Sequence, residues 1–123
     1  MVRSDFRPFD RSAPADELLR CELHPERGTV RVRAVGSLDM ATAPRLDQQL
    51  IELHEAGWNL IVVDLGGLSF MDSSGLRLLL RWDAIARQDG FNLQFAPGPP
   101  PVQRVFELTG MTERLPFIGP PDR

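Results

Sequence analysis

The hydrophobic positions of this chain follow two periods, which divide it into strands and helices. Apolar and polar residues alternate over 19–23 and again over 29–35, with a turn at 25–28, and this predicts a β-hairpin. Apolar residues then recur at helical spacing over 43–56. Thr42 is expected to cap this helix with its hydroxyl, Pro44 suits its first turn, and Gly57 ends it.

The centre of the chain changes from one period to the other. The β-branched run 60–65 predicts a strand buried on both faces, and Gly66 and Gly67 follow it. Helical spacing takes over from about Ser73 to Arg87 and stops at Asp89-Gly90. Asp72, Ser73 and Ser74 therefore stand where a strand and loop lead into a helix.

The remaining segments complete an α/β domain. Residues 91–95 predict a fourth strand, 97–101 a stiff proline-rich connector, 102–109 a short helix, and 115–117 a short closing strand. The order ββαβαβα predicts a mixed, mostly parallel sheet of four to five strands with the first hairpin at its edge. Residues 1–17 are expected to be a flexible leader, 18–117 one domain, and 118–123 a frayed end.

Composition narrows the function classes. A formal net charge of −3 and a pI near 5.3 give no reason to expect nucleic acid or an anionic membrane as partner. No apolar run approaches the ~20 residues of a membrane helix, and the N-terminus lacks the apolar core of a signal peptide. The single Cys21 is expected to be a buried small hydrophobe. These features predict a cytoplasmic protein.

The start of the second helix suggests a chemical role for Ser73. Free N–H groups and the helix dipole favour an added anion there, so a hydroxyl at this point is a plausible phosphate acceptor. Phosphorylation would add about two negative charges, which Asp72 would repel. The alternative is that Asp72 and Ser73 only cap the helix.

The sequence offers no enzyme site. The pattern Gly-x-Ser-x-Gly is missing around Ser73, and the two histidines, His24 and His54, are expected on the surface. One Cys and two separated His residues give no metal-ligand cluster, and no phosphate-binding loop is present. We therefore predict no catalytic residues, no metal and no cofactor.

A binding surface is better supported than an active site. Leu76 and Leu80 lie four residues apart on the second helix, beside Arg77 and Arg81. An apolar pair edged by arginines next to Ser73 would suit a contact controlled by phosphorylation. The alternative is that both leucines pack into the edge of the core.

Four motifs resemble the STAS domain of bacterial anti-sigma factor antagonists. They are Gly36-Ser37-Leu38-Asp39, Thr42-Ala43-Pro44, the stretch from Leu68 to Leu76, and the stretch from Val102 to Met111. They occur in the family's order and span about residues 18–117.

The resemblance implies a phosphorylation switch with no catalysis by the chain itself. It assigns phosphorylation to Ser73, within the neighbourhood of Asp72, Ser74 and Gly75, by a partner anti-sigma factor that is also a Ser kinase. The unphosphorylated antagonist captures the anti-sigma factor and releases a sigma factor, and a phosphatase restores capture after phosphorylation. The resemblance also implies a contact surface around Asp39 and the start of the second helix, although Asp39 could equally help to cap the first helix.

Two other functions remain open at this point. STAS domains also serve as adaptor subunits of transport or signalling assemblies, and a small-ligand sensor is a further alternative. The chain is expected to be a monomer or a weak dimer. The sequence leaves open whether Ser74 is a second phosphorylation site.

Overall fold

The computed structural model describes residues 18–119, so the predicted leader 1–17 and residues 120–123 lie outside the described part. The strands are β1 (Leu19–Glu26), β2 (Thr29–Leu38), β3 (Leu60–Met71) and β4 (Asn92–Ala96). The helices are α1 (Ala43–Glu55), α2 (Ser73–Asp89) and α3 (Pro100–Leu108). This order confirms the predicted α/β succession ββαβαβα.

The four strands form one sheet in the order β1-β2-β3-β4. β1 and β2 are an antiparallel hairpin, whereas β2, β3 and β4 are parallel and joined through α1 and α2. Both crossovers advance in the same direction, so their right-handedness places α1 and α2 on the same face of the sheet. The closing strand predicted at 115–117 is reduced to a single parallel bridge between Phe95 and Phe117.

β3 is longer than predicted, because the segment after Gly66 and Gly67 continues the strand as far as Met71. Two bulges make this possible. Arg33 pairs with Asp64 but Val35 with Gly67, and Gly36 pairs with Leu68 but Ser37 with Phe70. Each bulge adds one residue to β3, and Leu68 and Met71 consequently join the same core as Ile61, Val63 and Leu65.

The core lies between the sheet and the helices. Its largest fully buried side chains come from all these elements and include Leu19, Leu38, Leu46, Leu50, Ile61, Leu65, Leu79, Phe95 and Phe106. The opposite sheet face carries an ion-pair cluster: the buried carboxylate of Asp64 lies 3.0 Å from Arg31 Nη1 and 3.4 Å from Arg33 Nη1. Its other oxygen accepts a 2.8 Å hydrogen bond from the Gly66 N–H.

Three local predictions need correction. The proline-rich connector ends at Pro99, because Pro100 and Pro101 form the first turn of α3, where a missing N–H costs nothing.

Cys21 is only half-buried and packs at the margin of the core. His54 is half-buried and held between elements: its Nε2 lies 2.8 Å from Asp89 Oδ2, and its ring stacks on Phe91.

Candidate functional site

The candidate site lies where β2 and β3 end and α2 begins. Asp72 is the N-cap of α2, and its Oδ1 accepts hydrogen bonds from Ser74 N at 2.8 Å and Gly75 N at 3.4 Å. Its own N–H donates to the carbonyl of Leu38 at the end of β2. The cap therefore satisfies two free N–H groups of α2 and ties the helix to the neighbouring strand.

Gly75 allows α2 to start close to the sheet. A Cβ built on Gly75 would lie 2.7 Å from Met71 Cγ and 2.9 Å from Leu38 Cγ, which is closer than carbon atoms approach in proteins. The absence of a side chain at Gly75 thus fixes how deeply the helix start sits against β2 and β3.

The two serines beside the cap have different surroundings. Ser73, the first residue of α2, is exposed, whereas Ser74 is half-buried and faces a cleft between α1 and α2. Ser73 is accessible to another protein at the position where the sequence predicted a phosphate acceptor.

The turn between β2 and α1 adjoins this cleft. Asp39 Oδ1 accepts hydrogen bonds from Ala41 N at 3.0 Å and Thr42 N at 3.1 Å, so its carboxylate stabilises the turn. Thr42 is the N-cap of α1, but its hydroxyl does not cap the helix, which corrects the prediction. The hydroxyl is buried, donates to the carbonyl of Ser37 at 2.7 Å and accepts from Asp39 N at 2.9 Å.

The cleft between α1 and α2 is shallow and mixed in character. It encloses about 290 Å³ and is lined by Met40, Ala43, Pro44, Asp47, Ser74, Arg77, Leu78 and Arg81. On its floor Asp47 Oδ1 accepts from Arg81 Nη2 at 2.7 Å and from Trp82 Nε1 at 2.8 Å. Arg77 is exposed and forms no ion pair with another described residue.

The structure separates the two leucines that the sequence grouped as a possible contact. Leu76 is only 7% exposed and belongs to the core, whereas Leu80 is half-buried at its margin. Two other apolar side chains are more exposed at this end of the molecule: Met40, at 77%, and Phe70, at 49%. The sequence analysis missed both. The spacing of apolar residues cannot show whether an apolar side chain is exposed or buried when it lies in a bulged strand, as Phe70 does, or in a turn, as Met40 does.

Residues 18–119 show neither a metal-ligand cluster nor a helix that could span a membrane. No three His, Cys, Asp or Glu side chains of this segment are grouped to hold a metal ion. None of its helices is long and apolar enough to span a membrane. The accessible serine, the caps around it and the adjoining cleft are the features that require a functional explanation.

Comparison with known proteins places this arrangement in a family. A family profile described as "Mlab, STAS domain" matches residues 21–118. The chain belongs to the STAS domain family. This confirms the resemblance that the four sequence motifs carried.

Relatives of this STAS chain include anti-sigma factor antagonists. The anti-sigma F factor antagonist of Paenibacillus polymyxa is 32% identical over 100 residues, which cover 80% of this chain and 86% of that protein. An anti-sigma factor antagonist from Mycobacterium paratuberculosis has a similar structure, with a TM-score of 0.72, 25% identity, and coverage of 91% and 93% of the two chains.

A third relative has been solved in two states. The anti-sigma factor antagonist SpoIIAA in its unphosphorylated form matches with a TM-score of 0.66 and 25% identity, covering 80% of this chain and 88% of that one. The phosphorylated form of SpoIIAA from Bacillus matches with a TM-score of 0.61 and 23% identity, covering 80% and 91%.

Proposed function

We propose that this STAS domain is an anti-sigma factor antagonist switched by phosphorylation of Ser73. The unphosphorylated chain binds an anti-sigma factor that is also a Ser kinase, and so releases a sigma factor. The kinase transfers the γ-phosphoryl group of ATP to Ser73 Oγ, which loses its proton as ADP leaves. A phosphatase then hydrolyses the phosphate ester and restores binding.

The exposed hydroxyl of Ser73 at the first position of α2 is the observation that supports this function best. Ser69, the serine that precedes it in the chain, is also exposed, but its hydroxyl lies 3.3 Å from the carbonyl of Gly36 and has no helix N-terminus beside it. Ser74 is half-buried in the cleft, and its N–H is held by Asp72. Of these three serines, Ser73 best combines accessibility with the positive end of a helix.

The surface proposed for the partner surrounds Ser73. It comprises the turn at Asp39 and Met40, the exposed ring of Phe70, and the side chains of Arg77 and Leu80 on α2, while Leu76 supports it from the core. Exposed Met and aromatic side chains with an arginine are typical of protein interfaces. A phosphate in the middle of this surface would add about two charges that the partner must desolvate, which explains loss of binding.

Phosphorylation can be tested first, without knowing the sigma factor. Each anti-sigma factor kinase encoded in the same genome is purified and incubated with the chain and ATP, and the product is mapped by mass spectrometry. We expect one phosphate on Ser73, loss of the product in Ser73→Ala, and retention in the matched variant Ser74→Ala. Phosphate on Ser74 alone, or on neither serine with any kinase, would contradict the proposal.

Binding is the second test. Unmodified chain and Ser73→Ala should bind the kinase with similar Kd, whereas Ser73→Asp should bind at least about tenfold more weakly, since binding would have to desolvate the added charge. Ser69→Asp adds the same charge outside the proposed centre and should weaken binding less. Co-purification with a transport ATPase instead of a kinase would favour the adaptor function.

A further inference from the structure

Ser73 and Arg77 lie on successive turns of α2, four residues apart. Side chains at this spacing are neighbours on a helix surface, with Cβ atoms about 5–6 Å apart. Helical side chains lean towards the N-terminus, so a long side chain at position 77 can reach the preceding turn, where Ser73 lies. Both residues are exposed, and Arg77 also lines the cleft between α1 and α2.

Several other groups near Ser73 that could bind a phosphate are already engaged. The N–H groups of Ser74 and Gly75 donate to Asp72 Oδ1. Arg81 is bound to Asp47 at 2.7 Å, and Arg87 at the far end of the helix is bound to Asp83 at 2.9 Å. Arg77 is the arginine of α2 that has no carboxylate partner within the described residues.

We propose that Arg77 is the internal counter-ion of phosphorylated Ser73. This inference rests on the proposed function, because it requires Ser73 to carry a phosphate. The guanidinium forms charge-assisted hydrogen bonds with the phosphate oxygens across one helical turn, which offsets repulsion from Asp72. Phosphorylation therefore changes the surface twice: it adds an anion at Ser73 and removes Arg77 as a cation available to the partner.

The experiment measures the proton affinity of the phosphate in the full chain, with phosphoserine incorporated at position 73 during translation. Phosphorus NMR follows the second ionisation, which lies near pH 6 for free phosphoserine, in the unaltered chain and in Arg77→Gln. We expect Arg77→Gln to raise the proton affinity about two- to fivefold, the size typical of an exposed pair on one helix face. Arg77→Lys should keep part of the effect.

Arg87→Gln is the matched control, because it removes the same charge from the same helix at a distance from Ser73. Equal titration midpoints in Arg77→Gln and Arg87→Gln would overturn the proposal, since the phosphate would then sense only net charge. Circular dichroism confirms that each variant is folded. The test uses no kinase, so a failure to find phosphorylation of Ser73 in the kinase assay remains a separate result.

Discussion

At the scale of single residues, the start of α2 depends on two neighbours that act in opposite ways. The side chain of Asp72 accepts hydrogen bonds from the Ser74 and Gly75 N–H groups. Gly75 has no side chain, and this allows the helix to start close to the sheet. Together they leave Ser73 as the exposed residue of a tightly held helix start. Ser73, the proposed phosphorylation site, is therefore held in a fixed position, which would favour recognition by a kinase without prior rearrangement.

Gly75→Ala should destabilise the domain in spite of alanine's higher helix propensity. The new methyl would lie 2.7 Å from Met71 Cγ and 2.9 Å from Leu38 Cγ, and Leu38 is fully buried. Overpacking of this kind costs about 1–3 kcal/mol, more than the ~1 kcal/mol that Gly to Ala gains inside a helix. Urea unfolding measures the difference, and Gly119→Ala, where a Cβ would meet nothing within 4 Å, should change stability by less than about 0.5 kcal/mol.

At the scale of elements, the sequence predicted the order of strands and helices because each has a clear period. It could not predict that β3 continues beyond Gly66 and Gly67, since two bulges and pairing with β2 decide this. The prolines at 100 and 101 were assigned to a connector, although the first turn of a helix accepts them. In both cases the deciding information is tertiary pairing or position within a helix.

The candidate site divides in the same way. The cap at Asp72 and the start of α2 at Ser73 were predictable, because caps and apolar period are local signals. The bonds of Asp47 to Arg81 and Trp82 join α1 to α2 across more than thirty residues, and no local pattern predicts them. The role of the Thr42 hydroxyl was also missed, because it bonds backwards to Ser37 instead of into its own helix.

Asp47→Ala should loosen the attachment of α1 to α2. Trp82 is almost fully buried, so its indole N–H would lose its acceptor inside the protein, and Arg81 would lose its carboxylate. An unsatisfied buried donor costs about 1–3 kcal/mol. Urea unfolding should report that loss, whereas Asp47→Asn, which keeps an acceptor oxygen, should lose less. Equal stability of Asp47→Ala and the unaltered chain would show that water replaces the carboxylate.

At the scale of the whole molecule, the alkaline stability of this chain should depend on one side chain. The 14 Lys and Arg residues are all arginines and there is no tyrosine, so Cys21 is the only side chain that titrates between about pH 8 and 11. Burial raises the pKa of the Cys21 thiol, and the charge of Arg45 opposes that only in part. The unfolded chain therefore loses this proton at lower pH than the folded one.

The contribution of the Cys21 thiol to the free energy of unfolding is fully present below the pKa of the thiol in the unfolded chain. It is lost as the pH rises through the pKa of the thiol in the folded chain. The free energy of unfolding should fall as the pH rises above about 8.5, the pKa of a free thiol, in the unaltered chain and fall less in Cys21→Ala. Urea unfolding at several pH values measures both slopes. Parallel slopes would show that the thiol is equally solvated in both states.

Phosphorylation should switch binding without changing the fold. Ser73 is exposed, and an anion at the first position of α2 gains about 0.3–1 kcal/mol from the helix dipole while Asp72 repels it. These terms oppose one another, so Ser73→Asp should change the free energy of unfolding by less than about 0.5 kcal/mol. Backbone amide spectra should shift only near Ser73 and the turn at Asp39. Chemical-shift changes spread across β1 or α3 would instead indicate that the added charge rearranges the domain. The weaker binding of Ser73→Asp could then not be assigned to surface charge alone.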